Sequence, residues 1–176
     1  MKLLPFLLLS SLLFASAACK KDAEDADDAG TGDGTVTWTH GGNTYTSTVG
    51  ASAIVDSGDK IIVTAGSPDG NNIVSLSLLG INAKGAGTYD LRKGSVLDNL
   101  PAAGLTLSGS TPTQATQYLT LYGPNASNGT VTVSQYDKSG QKLSGTFSFT
   151  AGAVPNTSAT GTHPVTNGTF SFTKFR

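Results

Sequence analysis

Few residues of this 176-residue chain could carry chemistry, and the first is its single cysteine, Cys19. It directly follows a short apolar run that closes in small residues, Ala15-Ser16-Ala17-Ala18. With no second cysteine it has no internal disulfide to make, so its chemistry is that of a free thiol open to modification. The only imidazoles are His40, which closes an extended run beside Gly41-Gly42, and His163, which precedes Pro164 in a polar stretch. Two histidines and a carboxylate can hold zinc, but no spacing here assembles such a set. Both histidines therefore read as surface turn residues, and neither metal nor cofactor is expected. Beyond residue 34 the acids are six aspartates with no glutamate. Most sit in turn contexts: Asp56-Ser57-Gly58-Asp59, Ser67-Pro68-Asp69-Gly70 and Asp137-Lys138-Ser139-Gly140. Asx turns account for them without a catalytic carboxylate pair. Serine and glycine are abundant, yet no G-x-S-x-G elbow and no phosphate-cradling glycine loop is present. This inventory points away from an enzyme.

Binding is better provided for. Trp38, Tyr45, Tyr89, Tyr118, Tyr122 and Tyr136 are amphipathic rings of the kind used at interfaces. Tyr118 and Tyr122 fall on one side of an alternating stretch, opposite Leu119 and Leu121. They are the candidate ligand-binding pair, for a glycan or a protein partner.

The elements that would position these residues begin with an export signal over 1–18. Lys2 supplies the positive end, Leu3 to Phe14 the apolar run, and Ala15 to Ala18 the small-residue cleavage zone. The run is well short of the roughly 20 apolar residues that a membrane span needs. Cleavage after Ala15-Ser16-Ala17 leaves a soluble periplasmic or secreted protein. Alternatively, Ser16-Ala17-Ala18-Cys19 looks like a lipobox, with Ser16 where leucine is usual, and Cys19 becomes the lipidated first residue. Lipidation explains both the count and the position of the cysteine, and stable attachment then takes at least two acyl chains. The membrane is thus the expected partner, through lipid on Cys19.

Residues 19–34 hold two lysines and six of the chain's twelve acids: Asp22, Glu24, Asp25, Asp27, Asp28 and Asp33. Nothing there can enter a core, so the segment reads as a disordered, glycine-ended tether. Asp25, Asp27 and Gly30 stand at calcium-loop offsets, but Ala29 and Val36 occupy positions where oxygen donors are required. Lys21-Asp22-Ala23-Glu24-Asp25 is similar to the short lysine-plus-acid signal that routes Bacteroidetes lipoproteins to the outer leaflet. That resemblance implies an outer-membrane lipoprotein displayed at the cell surface.

Residues 35–176 read as one domain. Eight basic and six acidic side chains leave it near neutrality, and no nucleic-acid-binding motif is present, so nucleic acid is not expected as a partner. The pattern is β throughout. Gly34-Thr35-Val36-Thr37-Trp38, Gly129-Thr130-Val131-Thr132-Val133, Gly145-Thr146-Phe147-Ser148-Phe149 and Gly168-Thr169-Phe170-Ser171-Phe172 repeat one recipe. Each reads as a glycine turn leading into a strand with large apolar groups on one face and hydroxyls on the other. Lys60–Ala65 and Ile73–Leu79 are strands about a turn at Ser67–Asn71, and Gly41-Gly42-Asn43 joins a hairpin. Tyr118–Tyr122 and Gln141–Thr150 are further strands. Only Val96–Ala103 has room for a helical turn, limited by Pro101. About ten short strands give an all-β domain, an antiparallel sandwich or barrel-like sheet.

Gly87-Thr88-Tyr89-Asp90-Leu91, Tyr136-Asp137, Leu143 to Phe149 and Asn167-Gly168-Thr169-Phe170 together resemble a family of small Bacteroidetes surface lipoproteins with a β-rich domain of unknown function. That resemblance brings no activity and no site residues. The expected role is a binding or structural module of the cell envelope. Alternatives are a glycan- or peptide-binding accessory protein, favoured by tyrosines exposed on one face, and a secreted hydrolase, favoured by a cleft gathering a histidine with two aspartates.

Overall fold

The computed structural model describes residues 33–47, 51–56, 59–109 and 115–175. Cys19, the expected export signal and the expected acidic tether up to residue 32 lie outside the described residues. Among the described residues, eleven strands form one antiparallel sheet: β1 (Gly34–His40), β2 (Asn43–Ser47), β3 (Ser52–Asp56), β4 (Lys60–Gly66), β5 (Asn72–Leu79), β6 (Gly87–Arg92), β7 (Ala102–Leu107), β8 (Thr116–Leu119), β9 (Ser127–Asp137), β10 (Lys142–Ala153) and β11 (Thr162–Phe172). The main path runs β2-β1-β11-β10-β8-β7-β5-β4-β3. At β10 the sheet forks, because residues 142–149 pair with β9, which carries β6, while Gly152 and Ala153 pair with β8.

The β1–β2 hairpin turns on Gly41 and Gly42 at φ 58° and 80°, a two-residue connection that suits right-twisted strands. Alternation then sorts the strands. In β4 and β5, Ile61, Val63, Ala65, Val74, Leu76 and Leu78 point inward and are buried. Val36, Trp38, Val131, Val133, Phe147, Phe149, Val165 and Phe170 supply the facing half of the same core. The all-β reading holds, with two local corrections. A four-residue helix, α1, lies at Ile81–Lys84 rather than in Val96–Ala103, whose end opens β7. The strand expected over Tyr118–Tyr122 stops at Leu119 and tightens into a 3₁₀ turn, Thr120–Tyr122.

The recurring glycines are a third correction, since they are not turns. Each lies within a strand, directly opposite a phenylalanine: Gly34 faces Phe172, Gly129 faces Phe149, Gly145 faces Phe170 and Gly168 faces Phe147. A β-carbon on Gly168 would stand 2.5 Å from Cγ and Cε2 of Phe147, and one on Gly145 would stand 2.6 Å from Cζ of Phe170. The missing side chains make room for rings to lie across the neighbouring strand. Phe147 also stacks between Phe149 and Phe170, at centroid distances of 6.1 and 6.4 Å. Burying each ring contributes about 1.5–3 kcal/mol. The repeated recipe is therefore a set of complementary halves, holes and the rings that fill them.

Candidate functional site

The fold brings the two histidines together, 123 residues apart in sequence, with His40 Nε2 and His163 Nδ1 separated by 3.0 Å. They are not separate surface turn residues: each is half-buried, on the core-facing side of β1 and β11 respectively. The Tyr118 and His163 rings pack in a tilted, edge-to-face arrangement at a centroid distance of 4.2 Å. On the far side, Asn72 Nδ2 lies 3.1 Å from His40 Nδ1, and the indole N–H of Trp38 donates to Asn72 Oδ1 at 3.3 Å. Burial, and next the neighbouring His163, hold the pKa of His40 below the usual histidine value. No group of three His, Cys, Asp or Glu side chains converges among the described residues.

The tyrosine pair does not form a stripe. Tyr118 is buried at 6 % exposure, and Tyr122, carried by the 3₁₀ turn, is half-buried away from that strand's alternation. Tyr89 is buried with its hydroxyl donating to Gly85 O at 2.7 Å, and Tyr136 donates to Asn82 Oδ1 at 2.6 Å. Tyr45 stacks on Trp38 at 5.4 Å. The Tyr45, Tyr89, Tyr118 and Tyr136 rings are thus engaged in packing or in internal hydrogen bonds.

Among the described residues, accessible relief is found on the outer face of β9, β10 and β11. Two shallow hollows of about 300 and 430 Å³ adjoin there and share Ser148. The first is lined by the Asn125, Ser127, Asn128, Thr150 and Thr166 side chains among others, the second by Thr130, Thr146, Asn167 and Thr169. Among the described residues, neither lining includes a charged side chain.

Bulges shape this relief. Ser148 of β10 faces two residues of β11, Thr166 and Asn167, because Phe147 pairs with Gly168 and Phe149 with Val165. Asn167 takes φ 52° there, a conformation that asparagine tolerates better than most residues. On the other flank, the β6–β9 register slips at Asn128-Gly129, with Gly129 at φ 136°. Two departures from regular pleat thus flank one serine.

The floor is braced from beneath. Buried Asn128 donates through Nδ2 to Thr120 O (2.9 Å) and Asn125 O (2.8 Å), and accepts from Asn125 N (2.9 Å). Thr120 in turn accepts from Ala103 N at 3.0 Å. Gly152 lets the 3₁₀ turn approach β10, since a β-carbon there would overlap the Tyr122 carbonyl. At the rim, Ser127 donates to Asp90, which also accepts from Arg92 Nε at 2.8 Å. The Ser127 bond and then the Arg92 bond hold the Asp90 carboxyl below the usual carboxylate range.

The hydroxyl face was legible in the alternation of the four recipe segments. The bulges that hollow it were not, because they depend on register between strands.

Residues 34–174 match the protein family described as a domain of unknown function, DUF6252, and the chain belongs to that family. Comparison with curated proteins and with solved structures gives no match. No helix among the described residues is long and apolar enough to cross a membrane.

Proposed function

We propose that this DUF6252 protein is an exported, lipid-anchored binding module of the cell envelope, displayed at the surface, whose β domain takes neutral glycan chains. The observation that carries the binding half is the bulged hollow around Ser148, where every polar lining side chain is a hydroxyl or an amide. Hydroxyls and amides both donate and accept, which is what the hydroxyls of a neutral sugar require. A phosphorylated or strongly acidic ligand would call for Arg or Lys, and the lining supplies neither. The hollows lie at the small end of the roughly 300–1,000 Å³ that ligand sites occupy, and they are open, as suits a chain lying across the sheet.

A handful of neutral hydrogen bonds, each worth about 0.5–1.5 kcal/mol net, gives weak single-site affinity. Many anchored copies on one surface would raise it through avidity. The anchoring half rests on Cys19 and the small residues before it. A glycan array probed with the mature chain tests the binding reading: neutral polysaccharides should bind, and Ser148→Tyr, which fills the shared hollow from an exposed strand position, should abolish the signal. Signal only on acidic glycans, or neutral binding untouched by Ser148→Tyr, would overturn it.

A further inference from the structure

The hydrogen bonds linking Trp38, Asn72, His40 and His163 have a direction that chemistry alone assigns. An indole N–H can only donate, so Asn72 Oδ1 must be the acceptor facing Trp38. The Asn72 amide nitrogen then faces His40 and donates to Nδ1, which must carry a lone pair. The proton of neutral His40 is therefore on Nε2, and it donates to His163 Nδ1. His163 in turn carries its own proton on Nε2. With both rings neutral, both tautomers are set from Trp38 outward.

This arrangement has no free lone pair on His40 and none on Nδ1 of His163. A proton added to either ring puts two N–H groups face to face and breaks the chain at Asn72–His40 or at His40–His163. A metal ion held between the same two nitrogens would need a lone pair on His40 Nε2, where the chain places a proton. β1 and β5 are not neighbours in the sheet, so the Asn72 bonds to Trp38 and His40 clasp two separate arms across the core. The His40–His163 bond continues the clasp to β11.

We propose that this chain of four side chains is an acid-released clasp, closed while both imidazoles are neutral and opened when the pair takes up a proton. Among the described residues, the groups facing the pair are Asn72 from β5, itself bonded to the Trp38 indole, and Tyr118 from β8, with Ala151 of β10 opposite His163 in register. The nearby β4–β5 turn carries Asp69, whose carboxylate is held by Ser67 and Asn71.

His40 binds a proton less readily folded than unfolded. The unfolded state therefore holds more protons just below pH 6.5, and stability is full above that pH and falls as pH drops. For one proton the unfolding equilibrium constant rises by at most about tenfold per pH unit. Asp69 and Asp90 are held below the carboxylate range, so their contributions are lost only below about pH 4, outside this window.

Two measurements on the mature chain test the clasp. Long-range ¹H–¹⁵N NMR of the imidazoles at pH 7.5 should show both rings protonated on Nε2 alone; a proton on Nδ1 of His40 would overturn the proposal. Urea unfolding between pH 7.5 and 5 should show a rising unfolding constant in the wild type and a flat one in the double variant His40→Gln/His163→Gln. The same slope in both would also overturn it. If the double variant does not fold, the wild-type tautomers decide.

Discussion

Replacing Gly168 by alanine puts the packing of β10 on β11 to a quantitative test. In a strand position with room, Gly→Ala stabilises a protein by about 0.4–1 kcal/mol, because the unfolded chain loses freedom. Gly66 in β4 is such a position: an added β-carbon would meet only Ile73 Cγ1, at 3.7 Å. At Gly168 the same methyl group would stand 2.5 Å from two ring carbons of Phe147. That ring is 4 % exposed and held between Phe149 and Phe170, so it has little space into which to move. Overpacking of this kind costs about 1–3 kcal/mol. For a domain of this size that lowers the melting temperature by roughly 3–12 °C. Differential scanning calorimetry of Gly66→Ala and Gly168→Ala should thus move Tm in opposite directions. Shortening the ring as well, in Gly168→Ala/Phe147→Leu, should cost less than the sum of the two single changes, by roughly 0.5–3 kcal/mol. A Gly168→Ala variant that melts at or above the wild type would refute the pairing of hole and ring.

Two further perturbations separate the brace beneath the hollow from the anchor. Asn128→Ala leaves the Thr120 carbonyl without its side-chain donor and should cost about 1–3 kcal/mol in urea unfolding, whereas a loss under 0.5 kcal/mol would mean that the brace is idle. Cys19→Ser should shift the exported protein from the detergent phase to the aqueous phase in partitioning, and unchanged partitioning would sink the lipid anchor.

Much of the fold was readable because period-two alternation is a local signal. β4 and β5, with their turn at Ser67–Asn71, and the Gly41-Gly42 hairpin need only neighbouring residues to be recognised. What escaped depends on partners far away in the chain. The recipe glycines looked like punctuation because a glycine next to a strand usually ends it. Only the register of β10 with β11, β9 with β10 and β1 with β11 shows that each glycine is the space left for a ring. Tyr118 and Tyr122 share a side only while the backbone stays extended. At Thr120 the chain instead tightens beneath Asn128 and Ala103, and alternation no longer describes it. His40 and His163 looked unrelated for the same reason, since nothing local to either reveals that β1 and β11 are neighbours. The candidate site itself was half visible, its hydroxyls in the alternation and its relief hidden in the bulges at Asn128-Gly129 and Thr166-Asn167.

The central claim, that the hollow around Ser148 receives a neutral glycan, is tested most directly by NMR mapping of the mature chain with a neutral oligosaccharide selected on the array. Amide shifts should move at Thr130, Thr146, Ser148, Asn167 and Thr169, and should stay still at Trp38, Tyr45 and Tyr136. Shifts centred on those aromatic residues, with the Ser148 hollow silent, would contradict it.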